Sequence, residues 1–312
     1  MEKGFYIGNV YIKNKYILAP MAGISDVGLR FLASYYGAGL TCTEMVSAKA
    51  ILHDSKKTKY LLNTTENEKP VAVQIFGNEP EVMAQSILSG AFDKFDIIDI
   101  NMGCPANKIV SNKEGSALMK NLPLASKIIK ACVAATNKPI TVKFRAGYDD
   151  NSRNAVEFAH MCEDSGASAI TIHGRTKEQG YAGKSDPLII RDVKNAVKIP
   201  VIANGDVVDK DSAENLLKIT GADAVMIGRG AYGNPEIFAK LLGNDVKETK
   251  KEIILKHIEI LNKYFDDKYV NLVMRGHLLA YLKGEKNSSN LKQLLLKTES
   301  TAEIVSLITI NL

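Results

Sequence analysis

The 312-residue chain has no tryptophan, four cysteines and five histidines, and it has no long uncharged apolar run. The cysteines (Cys42, Cys104, Cys132 and Cys162) form no CxxC pair and no metal-type spacing with the histidines. This pattern argues against a zinc or iron–sulfur site and fits a reducing compartment. No segment approaches the roughly 18 apolar residues of a membrane-spanning helix. The N-terminus also lacks the apolar core of a signal peptide. We therefore expect a cytoplasmic protein with no metal and no membrane partner.

The composition is that of a globular protein. Hydrophobic residues make up 46% of the chain and charged residues 24%, so the sequence can bury a core and shows no signature of disorder. The 40 basic and 35 acidic side chains leave a net charge of +5. Such mild basicity permits an anionic partner but does not require one.

Short aliphatic runs alternate with amphipathic segments up to about residue 240, and their number predicts the fold. The predicted strands are 16–19, 40–43, 71–76, 97–100, 140–144, 169–173, 201–203 and 224–227. Most are apolar throughout, as expected for parallel strands covered on both faces. Eight βα units of this length predict a TIM (β/α)8 barrel. A doubly wound open sheet is the alternative, although no GxGxxG follows the first strand.

The pattern changes after residue 242. Ile254, Ile258 and Leu261 recur at helical spacing, and the apolar clusters 278–282 and 291–296 are separated by a loop-like segment, 284–290. We predict a catalytic barrel domain over residues 1–242 and a small helical domain over residues 243–312.

Chemically distinctive residues follow the predicted strands, where TIM barrels carry their functional groups. The last two strands are followed by Asn204-Gly205-Asp206 and Gly228-Arg229-Gly230. Such glycine loops can bind phosphate through backbone N–H groups, although they could also be ordinary turns. Arg229 could contact the phosphate directly. Asp206 would repel it, so we expect Asp206 to act through its main chain or to cap the following helix.

Three further residues suggest redox chemistry at the same end of the barrel. Lys143 lies in an apolar strand, where it could be paired with an acidic residue (Asp99 or Glu44) or could face the pyrimidine edge of a flavin. Gln74 could hydrogen-bond the same heterocycle. Cys104 follows the fourth strand in a loop that would face the predicted site, and no second cysteine or obvious base accompanies it. We therefore expect it to donate a proton rather than to form a covalent bond.

Five sequence blocks resemble the tRNA-dihydrouridine synthases, flavin enzymes that reduce uridine in tRNA. The blocks are Leu18-Ala19-Pro20-Met21-Ala22-Gly23, Gln74-Ile75-Phe76-Gly77, Asp99-Ile100-Asn101-Met102-Gly103-Cys104-Pro105, Thr171-Ile172-His173-Gly174-Arg175-Thr176 and Ile199-Pro200-Val201-Ile202-Ala203-Asn204-Gly205-Asp206. The resemblance spans nearly the whole chain. The chain also resembles the bacterial members of the family that carry a C-terminal helical domain.

The resemblance implies a role for each matching residue. FMN would contact Pro20, Met21, Ala22, Gln74, Lys143, His173, Asn204, Gly205, Asp206, Gly228 and Arg229. Substrate would contact Asn101, Arg145, Arg175 and Tyr181. NADPH, or NADH, would reduce the FMN, and hydride would then pass from flavin N5 to uracil C6 while Cys104 protonates C5. The uridine would leave its stack to reach the flavin, and the helical domain would bind much of the tRNA. We expect a monomer.

Three segments depart from the family pattern. Glu236 replaces a tryptophan, Ser185-Asp186-Pro187 replaces Ala-Asp-Trp, and Arg275-Gly276-His277 replaces Arg-Lys-His. We interpret the first two as packing changes and the third as the loss of one cation from the RNA surface.

Two other functions remain open. One is an FMN enzyme acting on a free pyrimidine, similar to the dihydroorotate dehydrogenases, and the other is a catalytically idle RNA-binding paralogue.

Overall fold

The computed structural model describes residues 4–312, apart from the side chains of residues 56 and 57. A sheet of eight parallel strands forms the centre of the molecule. Its strands are β3 (Tyr16–Leu18), β4 (Thr41–Ser47), β5 (Val71–Phe76), β6 (Ile97–Asn101), β7 (Ile140–Arg145), β8 (Ala169–His173), β9 (Val201–Asn204) and β10 (Ala224–Ile227). Neighbours pair in chain order, and β10 pairs with β3. A parallel bridge from Ile17 to Leu40 joins β3 to the start of β4 and closes the barrel. The predicted TIM barrel is confirmed.

The strands are apolar because both of their faces are covered. Residues of β3, β5 and β8 are almost fully buried, in keeping with their largely apolar sequences. The β4 strand differs from the prediction, because it continues to Ser47 through an irregularity between Cys42 and Met45. The Glu44-Met45 pair therefore lies within the strand and not beyond its end.

A small antiparallel hairpin, which was not predicted, precedes the barrel. Its strands are β1 (Phe5–Ile7) and β2 (Val10–Ile12), and Gly8 supplies the positive φ of +56° that the connecting turn requires. Ile7 and Ile12 are fully buried in the cluster that fills the barrel interior. The hairpin therefore contributes two side chains to the core.

Helices follow the strands and cover the barrel. They are α1 (Val27–Tyr35), α2 (Ala48–Leu52), α3 (Lys56–Leu61), α4 (Pro80–Leu88), α5 (Asn107–Val110), α6 (Leu122–Ala134), α7 (Ala155–Asp164), α8 (Pro187–Ala196), α9 (Lys210–Thr220) and α10 (Ile237–Leu241). Several begin at acidic caps that accept a backbone N–H, including Asp26 for α1 and Asp209 for α9. Short 3-10 helices occupy 115–120 and 229–231.

The last part of the chain is helical, as expected. It comprises α11 (Lys250–Asn262), α12 (Asp267–Tyr281), α13 (Ser288–Leu295) and α14 (Thr301–Asn311). The loop predicted over residues 284–290 is shorter in the structure, because α13 already begins at Ser288. The hydroxyl of Ser288 donates to the Glu285 carbonyl at 2.8 Å. Among residues 4–312, no helix is both long and apolar enough to span a bilayer.

A buried polar cluster joins these C-terminal helices to the barrel. The carboxylate of Asp26 lies 3.1 Å from His257 Nε2 and 2.8 Å from His277 Nε2. Burial acts to raise the pKa of Asp26, but the two imidazoles hold it well below its ordinary value. His257 Nδ1 also lies 3.0 Å from the hydroxyl of Tyr281. The N-cap of α1 thus anchors both α11 and α12.

Candidate active site

A cavity of about 460 Å³ opens at the carboxyl ends of the barrel strands, a size typical of cofactor and ligand pockets. Of the sixteen residues predicted for the site, all but Arg175 line it. The sequence did not single out as site residues the further lining residues Ala19, Met45, Gly103, Pro105, Val207, Val208, Met226, Gly230 and Lys283. Most of these flank a predicted residue in the chain, so extending each strand end by one or two positions would have found them. Lys283 carries no such signal.

Cys104 lies in the loop after β6, and Asn101 shapes that loop. The Oδ1 atom of Asn101 accepts hydrogen bonds from the backbone N–H groups of Gly103 and Cys104, at 3.1 and 2.9 Å. The thiol is half-buried, and burial raises its pKa, although a backbone N–H and two nearby cations act in the opposite direction. A thiol with a raised pKa stays protonated at neutral pH. Cys104 is therefore suited to donate a proton and poorly suited to act as a thiolate nucleophile.

Lys143 projects from β7 into the cavity and forms no ion pair with another described residue. Its ammonium donates to Asn204 Oδ1 at 3.0 Å, and Asn204 Nδ2 in turn donates to the Met226 carbonyl at 2.8 Å. Burial and then the charge of Arg145 lower the pKa of Lys143 to about 8. The ammonium is thus largely charged at neutral pH and has donors available for an electron-rich ligand.

The acidic residues considered as partners for Lys143 are bonded elsewhere. Asp99 accepts from Gln74 Nε2 at 2.7 Å and from the hydroxyl of Thr141 at 2.6 Å. Glu44 accepts from a backbone N–H in the loop after β3. Gln74 Oε1 also accepts from Asn101 Nδ2 at 2.8 Å. The amide of Gln74 is therefore fixed in orientation, and its remaining N–H can be offered to a ligand.

The glycines after β9 and β10 allow close approach of the backbone. Gly205 has φ +142°, and a Cβ there would overlap the hydroxyl of Ser185. A Cβ at Gly230 would overlap the carbonyl of Val207. At Gly228, by contrast, a Cβ would meet only ordinary contacts of 3.6 Å or more. The first two glycines are needed for packing, whereas Gly228 leaves open space toward the cavity.

The side chain of Asp206 does not cap α9, contrary to one of the two roles expected for it; Asp209 does. The Asp206 carboxylate instead accepts from Arg175 at 2.8 Å and from the backbone N–H of Ser185 at 2.8 Å, and lies 3.4 Å from Arg229. Partial burial acts to raise its pKa, but these donors hold it below the ordinary value. Asp206 therefore fixes two arginines beside the glycine loops.

Arg145 joins the Cys104 loop to the loop after β8. Its Nε donates to the Gly103 carbonyl at 2.8 Å, and its Nη1 donates to the carbonyls of Thr176 and Gly180, each at 3.0 Å. Tyr181, on the second loop, is 60% exposed, with the Arg145 guanidinium 5.9 Å from its ring centre. The arrangement places an aromatic ring at the mouth of the cavity, on a loop anchored by a buried cation.

Arg175 does not line the cavity, unlike the other residues expected to bind substrate. Its side chain is 2% exposed, because Nε donates to the Ala182 carbonyl at 3.0 Å and Nη2 donates to Gly183 and Asp206. These bonds use the guanidinium to hold the loop over 176–186. The structure gives Arg175 a positioning role there and not a contact with the cavity.

His173 ends β8 and lines the cavity as a neutral imidazole. Its Nδ1 accepts the backbone N–H of Arg175 at 3.1 Å, so the ring proton lies on Nε2. Burial, reinforced by nearby cations, lowers the pKa of His173 to about 2. The ring can therefore donate a hydrogen bond from Nε2 without carrying charge.

This buried imidazole predicts a loss of stability in acid. Unfolding frees His173 to bind a proton near pH 6.5, so the free energy of unfolding falls by about 2 kcal/mol between pH 7.5 and 5 from this residue alone. Burial also lowers the pKa of His257, which acts in the same direction. We expect the free energy of unfolding, measured with urea at several pH values, to depend less steeply on pH in His173→Gln than in wild type. His160→Gln, exposed on α7, should keep the wild-type slope. Equal slopes in all three proteins would contradict a neutral His173.

The three departures from the expected sequence pattern have local structural roles. Glu236 precedes α10 and pairs with Lys240 at 3.2 Å. Asp186 caps α8. A Cβ at Gly276 would lie 2.9 Å from the hydroxyl of Tyr232. The glycine thus makes room for this tyrosine, against which a lysine would be crowded.

The described residues offer one cluster of metal-ligand type, Asp26 with His257 and His277. Its atoms hydrogen-bond one another, and it lies outside the residues that line the cavity.

The cavity itself combines a protonated thiol, a buried ammonium, a neutral imidazole donor, an oriented amide and open glycine loops. Such a donor set fits a planar heterocycle that carries a phosphate and gains negative charge on reduction.

A family model and the sequences of individual relatives identify the same family. The family model described as dihydrouridine synthase (Dus) matches residues 17–311. The probable tRNA-dihydrouridine synthase of Rickettsia conorii is 39% identical over 92% of this chain and 89% of its own length. The tRNA-dihydrouridine synthase B of Vibrio vulnificus is 39% identical over 92% of each chain.

Solved structures share the barrel at much lower sequence identity. Histamine dehydrogenase from Rhizobium sp. 4-9 superposes with a TM-score of 0.62 at 13% identity, covering 83% of this chain and 50% of that one. Morphinone reductase in complex with tetrahydroNAD gives a TM-score of 0.56 at 13% identity, covering 79% and 91%. At this identity the likeness establishes the architecture alone.

Proposed function

Because the chain belongs to the dihydrouridine synthase family, we propose that it is a flavin-dependent oxidoreductase that reduces the C5–C6 double bond of uridines in tRNA. The observation that carries the proposal is the convergence of Cys104, Lys143 and Gln74 on one cavity at the carboxyl end of the barrel. A proton donor and a cation are the two groups this reduction requires from the protein.

FMN would occupy the deeper part of the cavity, and when bound it would supply a hydride from N5 to C6 of the uracil. The ammonium of Lys143 and the amide of Gln74 would face its pyrimidine edge. The Nε2–H of His173 would donate to the same ring system. The backbone at Gly228 would approach the phosphate, with Arg229 beside it.

Cys104 would deliver the proton that completes the reduction. The S–H bond breaks, a C–H bond forms at C5 of uracil, and the thiolate regains a proton from solvent. Lys143 and Arg145 are the cations whose charges favour the thiolate that forms transiently. A proton donor on one face of the base and a hydride donor on the other require the uridine to leave its stack.

Residues at the mouth would position the extruded base. Asn101 holds the loop of Cys104 while lining the cavity, and Arg145, at the end of β7, also lines the cavity and bonds the same loop. The exposed ring of Tyr181 offers a stacking surface for a nucleobase, which is the contact that single-stranded RNA recognition uses most. These three residues form our proposed uracil site.

We propose residues 1–242 as the FMN-binding catalytic domain and residues 243–312 as a helical tRNA-binding domain. We propose that the protein acts as a monomer. Neither the hydride step nor the proton step needs a metal ion. We propose NADPH, or NADH, as the reductant and the cytoplasm, where tRNA is found, as the site of action.

The direct test is incubation of the purified protein with tRNA lacking dihydrouridine and with NADPH or NADH, followed by mass spectrometry of the nucleosides. We expect dihydrouridine to appear only when a reductant is present. A yellow, NADPH-reducible protein that yields none, but is reoxidised by free orotate, would instead indicate a free-pyrimidine enzyme. A protein that binds RNA but no flavin would indicate an idle paralogue.

A further inference from the structure

Lys283 is the one cavity-lining residue that comes from beyond residue 230. It follows α12 in the chain and is exposed. It lines the cavity together with Arg229 and Gly230 after β10, and with Val207 and Val208 after β9. A residue that closely follows a C-terminal helix therefore lines the same cavity as the glycine loops.

Close packing explains why Lys283 lies there. Gly233 has φ +72°, and a Cβ on it would overlap the backbone of Ala280 in the last turn of α12. The ring of Tyr232 packs edge-on against His277 of the same helix, with ring centres 5.4 Å apart. His277 is bonded to Asp26 at 2.8 Å. The end of α12 is thus held against the chain leaving β10, three residues before Lys283.

The charges at the glycine loops leave a phosphate incompletely neutralised. A phosphate monoester carries about −1.5 to −2 charge at neutral pH. Arg229 lies beside Asp206, and its guanidinium is 4.7 Å from the ring centre of Tyr181. Asp206 already offsets Arg175 as well. Within residues 4–312, Lys283 forms no ion pair, so its ammonium is available.

We propose that Lys283 binds the phosphate monoester of the flavin mononucleotide and so makes the segment after α12 part of the cofactor site. This inference rests on the proposed flavin chemistry. It extends that chemistry to a residue outside the barrel, because Arg229 is the one cation among the described cavity-lining residues of the loops after β9 and β10.

Riboflavin, which lacks the phosphate, provides the test. The full-length chain is stripped of flavin and titrated with FMN or riboflavin, following flavin fluorescence. In Lys283→Ala we expect FMN binding to weaken about tenfold, the effect of one exposed charge-assisted hydrogen bond, and riboflavin binding to stay unchanged. The FMN deficit should shrink as salt is raised. Lys286→Ala removes an exposed lysine of the same loop that does not line the cavity and should bind both flavins as wild type does.

Each alternative result has a distinct meaning. An unchanged ratio of FMN to riboflavin affinity in Lys283→Ala, with weaker tRNA binding, would overturn the proposal and assign the lysine to RNA phosphates. Equal weakening of both flavins would show a general disturbance of the cavity and would also overturn it. If wild-type protein bound neither flavin, the proposed function itself would fail. Lys283→Arg should retain the preference for FMN.

Discussion

Cys104→Ala is expected to lower the rate of uridine reduction by about 10²–10⁴-fold, the range typical for loss of a general acid. The thiol is the proton donor of the loop after β6, and its raised pKa keeps it protonated. Alanine removes the proton without removing the backbone bonds that Asn101 makes to this loop. Flavin binding and reduction of the flavin by NADPH should therefore remain close to wild type.

The two half-reactions separate these effects. Anaerobic reduction of the bound flavin by NADPH is followed by its absorbance, and reoxidation by tRNA is then measured in a single turnover. Cys104→Ser, which keeps the size of the side chain but offers a much weaker acid, should also be slow in the second step. Loss of flavin from Cys104→Ala would make the residue structural. Wild-type reoxidation by tRNA would remove it from the mechanism.

Lys143→Met is expected to lower the two-electron potential of the bound flavin by roughly 30–60 mV, equivalent to one charged hydrogen bond of about 1.5–3 kcal/mol. Reduction by NADPH should slow about tenfold or more, because negative charge on the reduced heterocycle would lose the adjacent ammonium. In wild type this step should also slow as the pH rises above about 8, where Lys143 loses its proton. That pH dependence should be absent in Lys143→Met.

Methionine keeps the length of the side chain, so the comparison isolates the charge. The potential is measured by equilibration with a reference dye, and flavin retention is measured alongside. Lys127→Met, which removes an exposed lysine of α6, is the matched control and should match wild type. A potential unchanged in Lys143→Met would place the ammonium away from the reacting ring.

The barrel could be predicted from sequence because each of its strands is marked by residues within the strand itself. Each parallel strand is an apolar run, so composition alone located β5, β8 and β10 with the bounds that the structure gives them. The predicted β4 strand was too short because the polar residues Thr43 and Glu44 interrupt the apolar run. The β1–β2 hairpin was missed because each strand has only three residues, although Gly8-Asn9 between two apolar triplets is a turn signal.

The site was predictable where a residue follows its own strand, and less so where its role depends on a distant partner. Lys143 lies near the end of β7 and Asn204 ends β9. Because alternate strands of a barrel place side chains in the same interior layer, their meeting follows from the topology. Nothing near Arg175 in the sequence indicates that Asp206 and the carbonyls of the following loop enclose its guanidinium. Lys283 is separated from β10 by more than fifty residues, and only the tertiary packing of α12 brings it to the cavity.

Because Asp26 shares its carboxylate between His257 and His277, cutting the chain near residue 243 would do more than delete RNA-binding surface. It would leave an ionised side chain without its two donors, five residues after Met21 of the cofactor loop. It would also uncover Gly28, against which the His257 ring packs closely. A truncated barrel that failed to act on tRNA would therefore not reveal what the helices recognise. Charge reversals at exposed lysines of intact protein would separate recognition from scaffolding.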